Sequence, residues 1–123
     1  MKLLKLLIEK GASIDIKAFD GTNALMHAVK FNPLTIVKIL LENGADPNEK
    51  VNHGLTPLMI ATQEGKYETA KLLIEHGANI DDHENLFENV PLHYAVSYEH
   101  KIILKLLIEN GASIDKHWMV QLH

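Results

Sequence analysis

The dipeptide Gly-Ala occurs at Gly11-Ala12, Gly44-Ala45, Gly77-Ala78 and Gly111-Ala112, in steps of 33, 33 and 34 residues. Ahead of each pair stands one phrase in four versions: "KLLKLLIEK", "TIVKILLEN", "ETAKLLIEH" and "IILKLLIEN". The first and last copies are so alike that Leu4–Asp15 and Leu104–Asp115 agree at every position except Lys10 against Asn110. A second phrase, "NALMHA" from Asn23, "TPLMIA" from Thr56 and "VPLHYA" from Val90, starts 21 residues before each of the last three glycines. Self-similarity at such a period marks a stack of supersecondary units, each burying its apolar face mainly against its neighbours.

The middle unit shows what each repeat contains. Thr56 suits a helix N-cap, where its hydroxyl can accept a backbone N–H, and Pro57 suits the first helical position, where no donor is needed. Leu58, Ala61 and Thr62 follow on a short helix. Gly65 can stop it by adopting a left-handed backbone, and Asn32 stands in the equivalent place one unit earlier. A second helix is predicted over Tyr67–His76. Ala70, Leu73 and Ile74 share its buried face, and Lys71 and Glu75 are spaced as a charge pair on the other side. Gly77 ends this helix. The polar run "ANIDDHENLFEN" then reads as a hairpin-like loop leading to the next unit. Ala28, Ala61 and Ala95 recur at one place in the first helices and permit close approach between layers, so enlarging Ala61 should cost about 1–3 kcal/mol.

The phrase "GLTPLMIA" at Gly54–Ala61, the Gly-Ala pairs and the 33-residue step of paired helices resemble the ankyrin repeat, over essentially the whole chain. The resemblance implies an all-α fold: an ankyrin-repeat solenoid of stacked helix-turn-helix units, each with a projecting hairpin loop, whose concave side usually holds a protein partner. In that register residues 1–123 are a single ankyrin-repeat domain. A partial repeat (second helix and loop) covers 1–17, full repeats cover 18–50, 51–84 and 85–117, and 118–123 form a tail or partial cap.

The third full unit departs from the pattern. Val90 replaces the capping Thr, one extra residue lies between Gly77 and Val90, and Glu99 stands where Gly or Asn would stop the first helix. That helix and the loop before it are expected to be the least regular part, with Asn89 or a rearranged "NLFEN" loop supplying the missing cap. At the ends, Leu3 and Leu7 have no first helix to cover them, and no complete unit follows Asp115. Either Trp118, Met119, Val120 and Leu122 fold back as a cover, or the chain is a structural segment of a larger ankyrin-repeat protein whose exposed ends stack on further repeats or self-associate.

Composition narrows the chemistry. Net charge is −4, all twelve cationic residues are lysines, and no basic block occurs, which argues against nucleic acid as a partner. No cysteine is present, so disulfides, thiolate metal sites and a Cys nucleophile are excluded. The opening "MKLLKLLIEK" is interrupted by Lys5 and closed by Glu9-Lys10 too early for a signal peptide, and no apolar run reaches membrane-spanning length. The expected location is intracellular, cytoplasmic or nuclear. Eight histidines are scattered across units without a metal-ligand spacing, and no phosphate loop, nucleophile elbow or dinucleotide fingerprint occurs, so neither enzyme activity, metal nor cofactor is expected. Asp81, Asp82 and Glu84 form an acidic cluster that reads as a solvated loop.

The resemblance places partner contacts at the loop tips and the exposed side of the first helices. Carried onto this chain they are Phe19, Asp20, Thr22, Lys30 and Phe31, then Asn52, His53, Leu55, Gln63 and Glu64, then Leu86, Phe87, Asn89, Ser97 and Tyr98. The aromatic members are the natural anchors, since an aromatic side chain facing water costs hydration that a partner can relieve. For Leu86 and Phe87 a second reading stands, a small satellite core beneath the enlarged loop.

Overall fold

The computed structural model describes residues 24–31, 33–85 and 88–113. Among the described residues there are six α-helices and no strand. They come as pairs: α1 (Ala24–Phe31) with α2 (Leu34–Glu42), α3 (Pro57–Gln63) with α4 (Tyr67–Glu75), and α5 (Pro91–Ser97) with α6 (Lys101–Glu109). Each first helix packs on its own partner and on the first helix of the neighbouring unit, so α1, α3 and α5 form one layer and α2, α4 and α6 a second. One apolar cluster runs through both layers, with Leu25, Leu58 and Leu92 from the first and Leu40, Leu73 and Leu107 from the second. Ala28, Ala61 and Ala95 are all buried at the contacts between first helices. Residues 1–17 and 118–123, with the roles expected for them, lie outside the described residues, as does Asn32.

The recurrence of Gly-Ala has a local cause. At the end of α4, the Gly77 N–H donates to the Ile74 carbonyl (3.0 Å) and the Ala78 N–H to the Leu73 carbonyl (2.9 Å). This pattern satisfies carbonyls that the helix itself leaves unpaired, and it requires a left-handed residue, here Gly77 at φ +94°. The alanine that follows is buried against the core. Gly44-Ala45 and Gly111-Ala112 repeat the arrangement bond for bond. The expected ion pair between Lys71 and Glu75 is not formed, whereas its exposed equivalents Lys38–Glu42 (3.9 Å) and Lys105–Glu109 (3.8 Å) are. Pairs so exposed contribute little either way.

The first helix of the third unit is more regular than its sequence suggests, while part of the loop before it lies outside the described residues. α5 has the same seven-residue length as α3. Its departures from ordinary geometry are confined to flanking residues, with Glu88 at φ +56° and Glu99 at φ +57°. Glu99 does the work of a glycine: its N–H reaches the Val96 carbonyl and the His100 N–H the Ala95 carbonyl, as Gly65 and Lys66 do one unit earlier. Asn89 does not cap α5. In α3 the Thr56 hydroxyl accepts the Met59 N–H at 3.3 Å. In α5 the polar group has moved to the other partner: the Val90 N–H donates to Nδ1 of His93 at 3.0 Å. Val90 and His93 thus stand where the preceding unit has Thr56 and Met59, one polar side chain per helix start in each case.

The extra residue is absorbed in the hairpin. Val51 N–H bonds the Leu55 carbonyl in the second unit, and Glu84 N–H bonds the Asn89 carbonyl in the third, at the same register with one more residue between. The Glu84 carboxylate also accepts the Asn89 N–H at 3.0 Å and is itself buried. Successive hairpin bases are tied by a ladder. Asn48 donates to the Gly77 carbonyl (3.0 Å) and accepts the Asn79 N–H (2.6 Å). Asp81, its equivalent, accepts from the Ser113 N–H (3.0 Å) and hydroxyl (3.2 Å).

Candidate protein-binding face

The first helices turn one side to their partners and the other to solvent, and the repeat aligns the solvent side into columns. Lys30, Gln63 and Ser97 form one column, and Phe31, Glu64 and Tyr98 the next, all exposed. Phe31 is 67% accessible and Tyr98 49%, high values for side chains of that size. Among the other expected contacts, His53 is exposed at the hairpin tip, and Leu55 and Asn89 are half-buried at the hairpin bases. Phe19, Asp20, Thr22, Leu86 and Phe87 lie outside the described residues, and only the backbone of Asn52 is described, in the turn Asn52–Gly54.

These side chains are held rather than loose. The His27 ring lies 4.9 Å from that of Phe31, and the Lys30 ammonium sits 5.5 Å from the Phe31 centroid, a distance at which the ring's quadrupole attracts a cation. Two units away, the Tyr98 hydroxyl accepts from Gln63 Nε2 at 3.2 Å, and its ring stacks alongside that of His100, 6.3 Å between centroids. The Gln63 carbonyl accepts from His100 Nε2 at 3.1 Å, which places the ring proton on that nitrogen. Lys66, the register equivalent of His100, donates to the carbonyls of Val29 (2.6 Å) and Lys30 (2.8 Å). The C-terminal carbonyls of α1 and α3 are therefore each capped from the following unit, where a cation or donor is favoured by the helix dipole.

His27, Ile60 and Tyr94 form a third column one turn closer to the helix starts, which the sequence reading passed over. The ring contact of His27 with Phe31 puts it on the same face. Its signal was available, as the residue before the recurrent alanine in "MHA", "MIA" and "HYA". Tyr94 is half-buried. Burial, the Glu84 carboxylate and Tyr98 together push its hydroxyl above the ordinary tyrosine range, so it remains a neutral donor.

The hairpins meet closely beside this face. Asn85 N–H donates to the His53 carbonyl at 2.6 Å, and Gly54 beside it has a left-handed backbone, φ +80°, which favours glycine at the tip of the second hairpin. Each member of the acidic cluster has a structural partner: Asp81 binds Ser113, Asp82 pairs with Lys50 at 3.4 Å, and Glu84 holds Asn89. Among the described residues no three His, Asp or Glu side chains gather as metal ligands, and no helix is long and apolar enough to cross a membrane.

The architecture defines a helical-repeat solenoid presenting one columnar face and a row of hairpins. Family profiles described as ankyrin repeats in three copies and in many copies match residues 48–117 and 7–61, and the chain belongs to the ankyrin-repeat family. Ankyrin repeats are generally protein–protein interaction modules and are typically non-catalytic. No curated protein matches the chain.

Proposed function

We propose that the protein is a non-catalytic binding module that engages a partner protein on the solvent side of α1, α3 and α5 and the adjoining hairpin tips. The observation that carries this reading is the pair of exposed aromatic residues, Phe31 and Tyr98, in one column two units apart, each already fixed by neighbours. Pre-ordered aromatic side chains gain contact area on binding while losing little rotamer entropy. Glu64 lies between them in the column and Lys30 beside it, so the face is of mixed charge. It favours a partner offering apolar side chains flanked by hydrogen-bonding groups, with weak dependence on salt.

The test is affinity capture with the 123-residue chain as bait, followed by titration of the captured protein. Phe31→Ala and Tyr98→Ala should each weaken binding about tenfold or more. The unfolding free energy of Phe31→Ala should stay within about 0.5 kcal/mol of the parent, as for other exposed positions, while Tyr98→Ala, which gives up the bond from Gln63, should lose about 0.5–1.5 kcal/mol without loss of the fold. Unchanged affinity in both variants discards the assignment.

A further inference from the structure

Two of the second helices, α2 and α6, end on Asn-Gly, at Asn43-Gly44 and Asn110-Gly111, where α4 ends on His76-Gly77. Of the nine asparagines in the chain, these two alone precede glycine. The pairing matters chemically. The glycine nitrogen can attack the asparagine Cγ, and glycine has no side chain to obstruct the approach. The N–Cγ bond that forms closes a five-membered succinimide ring. The Cγ–Nδ2 bond breaks, and ammonia leaves with the glycine N–H proton. Water then opens the ring at either carbonyl, giving aspartate or isoaspartate.

In the folded chain both reacting groups are held apart. Asn43 Nδ2 donates to the Ile39 carbonyl (2.7 Å) and Asn110 Nδ2 to the Leu106 carbonyl (2.8 Å). The nucleophile is engaged as well: Gly44 N–H donates to the Leu41 carbonyl (3.2 Å) and Gly111 N–H to the Ile108 carbonyl (3.1 Å). Ring closure needs the glycine nitrogen brought round to the Cβ side of the asparagine. With ψ at +19° for Asn43 and +15° for Asn110, it nearly eclipses the asparagine's own nitrogen instead. Both asparagines are exposed, so water reaches them once the helix end opens.

We propose that Asn43 and Asn110 are deamidation sites gated by opening of the helix ends, and that the product hinders the end from closing again. Aspartate cannot donate to the Ile39 or Leu106 carbonyl, and its charge sits at a helix C-terminus, where the dipole opposes it. Isoaspartate also lengthens the main chain by a methylene, which shifts the glycine and alanine N–H groups off the carbonyls of the last turn. Each opening that reacts is therefore recorded in one direction. His76 exempts α4, since it has no side-chain amide to lose.

The test is peptide mapping by mass spectrometry of the 123-residue chain held in mildly alkaline buffer, folded and in unfolding guanidinium chloride, with isoaspartate counted by enzymatic methylation. Opening an end breaks the side-chain bond and the glycine bond together, so both sites should convert roughly tenfold or more faster in the unfolded chain. Asn43→Asp and Asn110→Asp, which carry the product, should each unfold at lower urea than the parent. Equal rates in the folded and unfolded chain overturn the gate, and so does an unfolded chain in which neither site converts ahead of the other asparagines. Asp variants with the parent's midpoint overturn the one-way closure.

Discussion

Gly65 and Glu99 occupy one place in successive units, both with left-handed backbone, φ +72° and +57°. Gly65→Ala and Glu99→Gly are expected to move stability in opposite directions. A left-handed L-residue costs about 1–2 kcal/mol, and a glycine adds back about 0.5–1 kcal/mol of backbone entropy. Glu99→Gly should therefore stabilise by roughly 0.5–1 kcal/mol. Gly65→Ala meets the strain from the other side, and a Cβ there would lie 2.7 Å from Cε1 of His100. The ring can swing away, but the bond to the Gln63 carbonyl and the stack on Tyr98 go with it. Losing that hydrogen bond costs about 0.5–1.5 kcal/mol, so the net destabilisation should be about 1–2 kcal/mol. With a urea m-value of about 2 kcal/mol/M, the midpoints shift by roughly +0.4 M for Glu99→Gly and −0.8 M for Gly65→Ala. Equilibrium urea unfolding at neutral pH, followed by circular dichroism, reads both. A lowered midpoint for Glu99→Gly, or an unchanged one for Gly65→Ala, refutes the reasoning from backbone sign and neighbour contact.

Further outcomes follow from contacts between units and at helix starts. Val90→Thr supplies α5 with the cap that Thr56 gives α3 and should raise stability by about 0.5–1 kcal/mol. His93→Met should be destabilising in the parent and better tolerated beside Val90→Thr, a coupling that a double-mutant cycle in urea measures. Burial holds the His93 imidazole below the usual 6.5. The unfolded chain then binds the proton more readily, so this contribution is complete above about pH 6.5 and is lost as pH falls through the folded pKa. The slope of stability against pH in that window should be shallower in the Val90→Thr, His93→Met double variant than in the parent, and an equal slope counts against His93. Asn48→Ala removes both rungs between the hairpin bases and should cost about 1–2 kcal/mol. Asn48→Asp, which keeps the acceptor as Asp81 does, should cost less in the same assay.

The repeat was legible because its causes are local. Gly77 and its equivalents end helices through bonds spanning only five residues, and the apolar spacing of Ala70, Leu73 and Ile74 needs no partner to be read. What escaped reading depends on distant neighbours. Lys66 looks like a solvated lysine in sequence, yet its partners are carbonyls 36 and 37 residues earlier. Glu84 belongs to an acidic run but is buried, because it must close a hairpin enlarged by one residue. For the cap of α5 the sequence points to Asn89 or the "NLFEN" loop, both upstream of the helix, whereas the acceptor lies inside it at His93. For the binding face, the exposure of Phe31 and Tyr98 followed from register, while the interactions that hold them, with Lys30, His27, Gln63 and His100, appear only once the units are stacked.

Hydrogen–deuterium exchange with and without the captured partner bears most directly on the proposed face. The account predicts slowed exchange concentrated in α1, α3 and α5 and the hairpin around His53, with α2, α4 and α6 little changed. Protection confined to the second helices, with the first-helix layer unaltered, would contradict it.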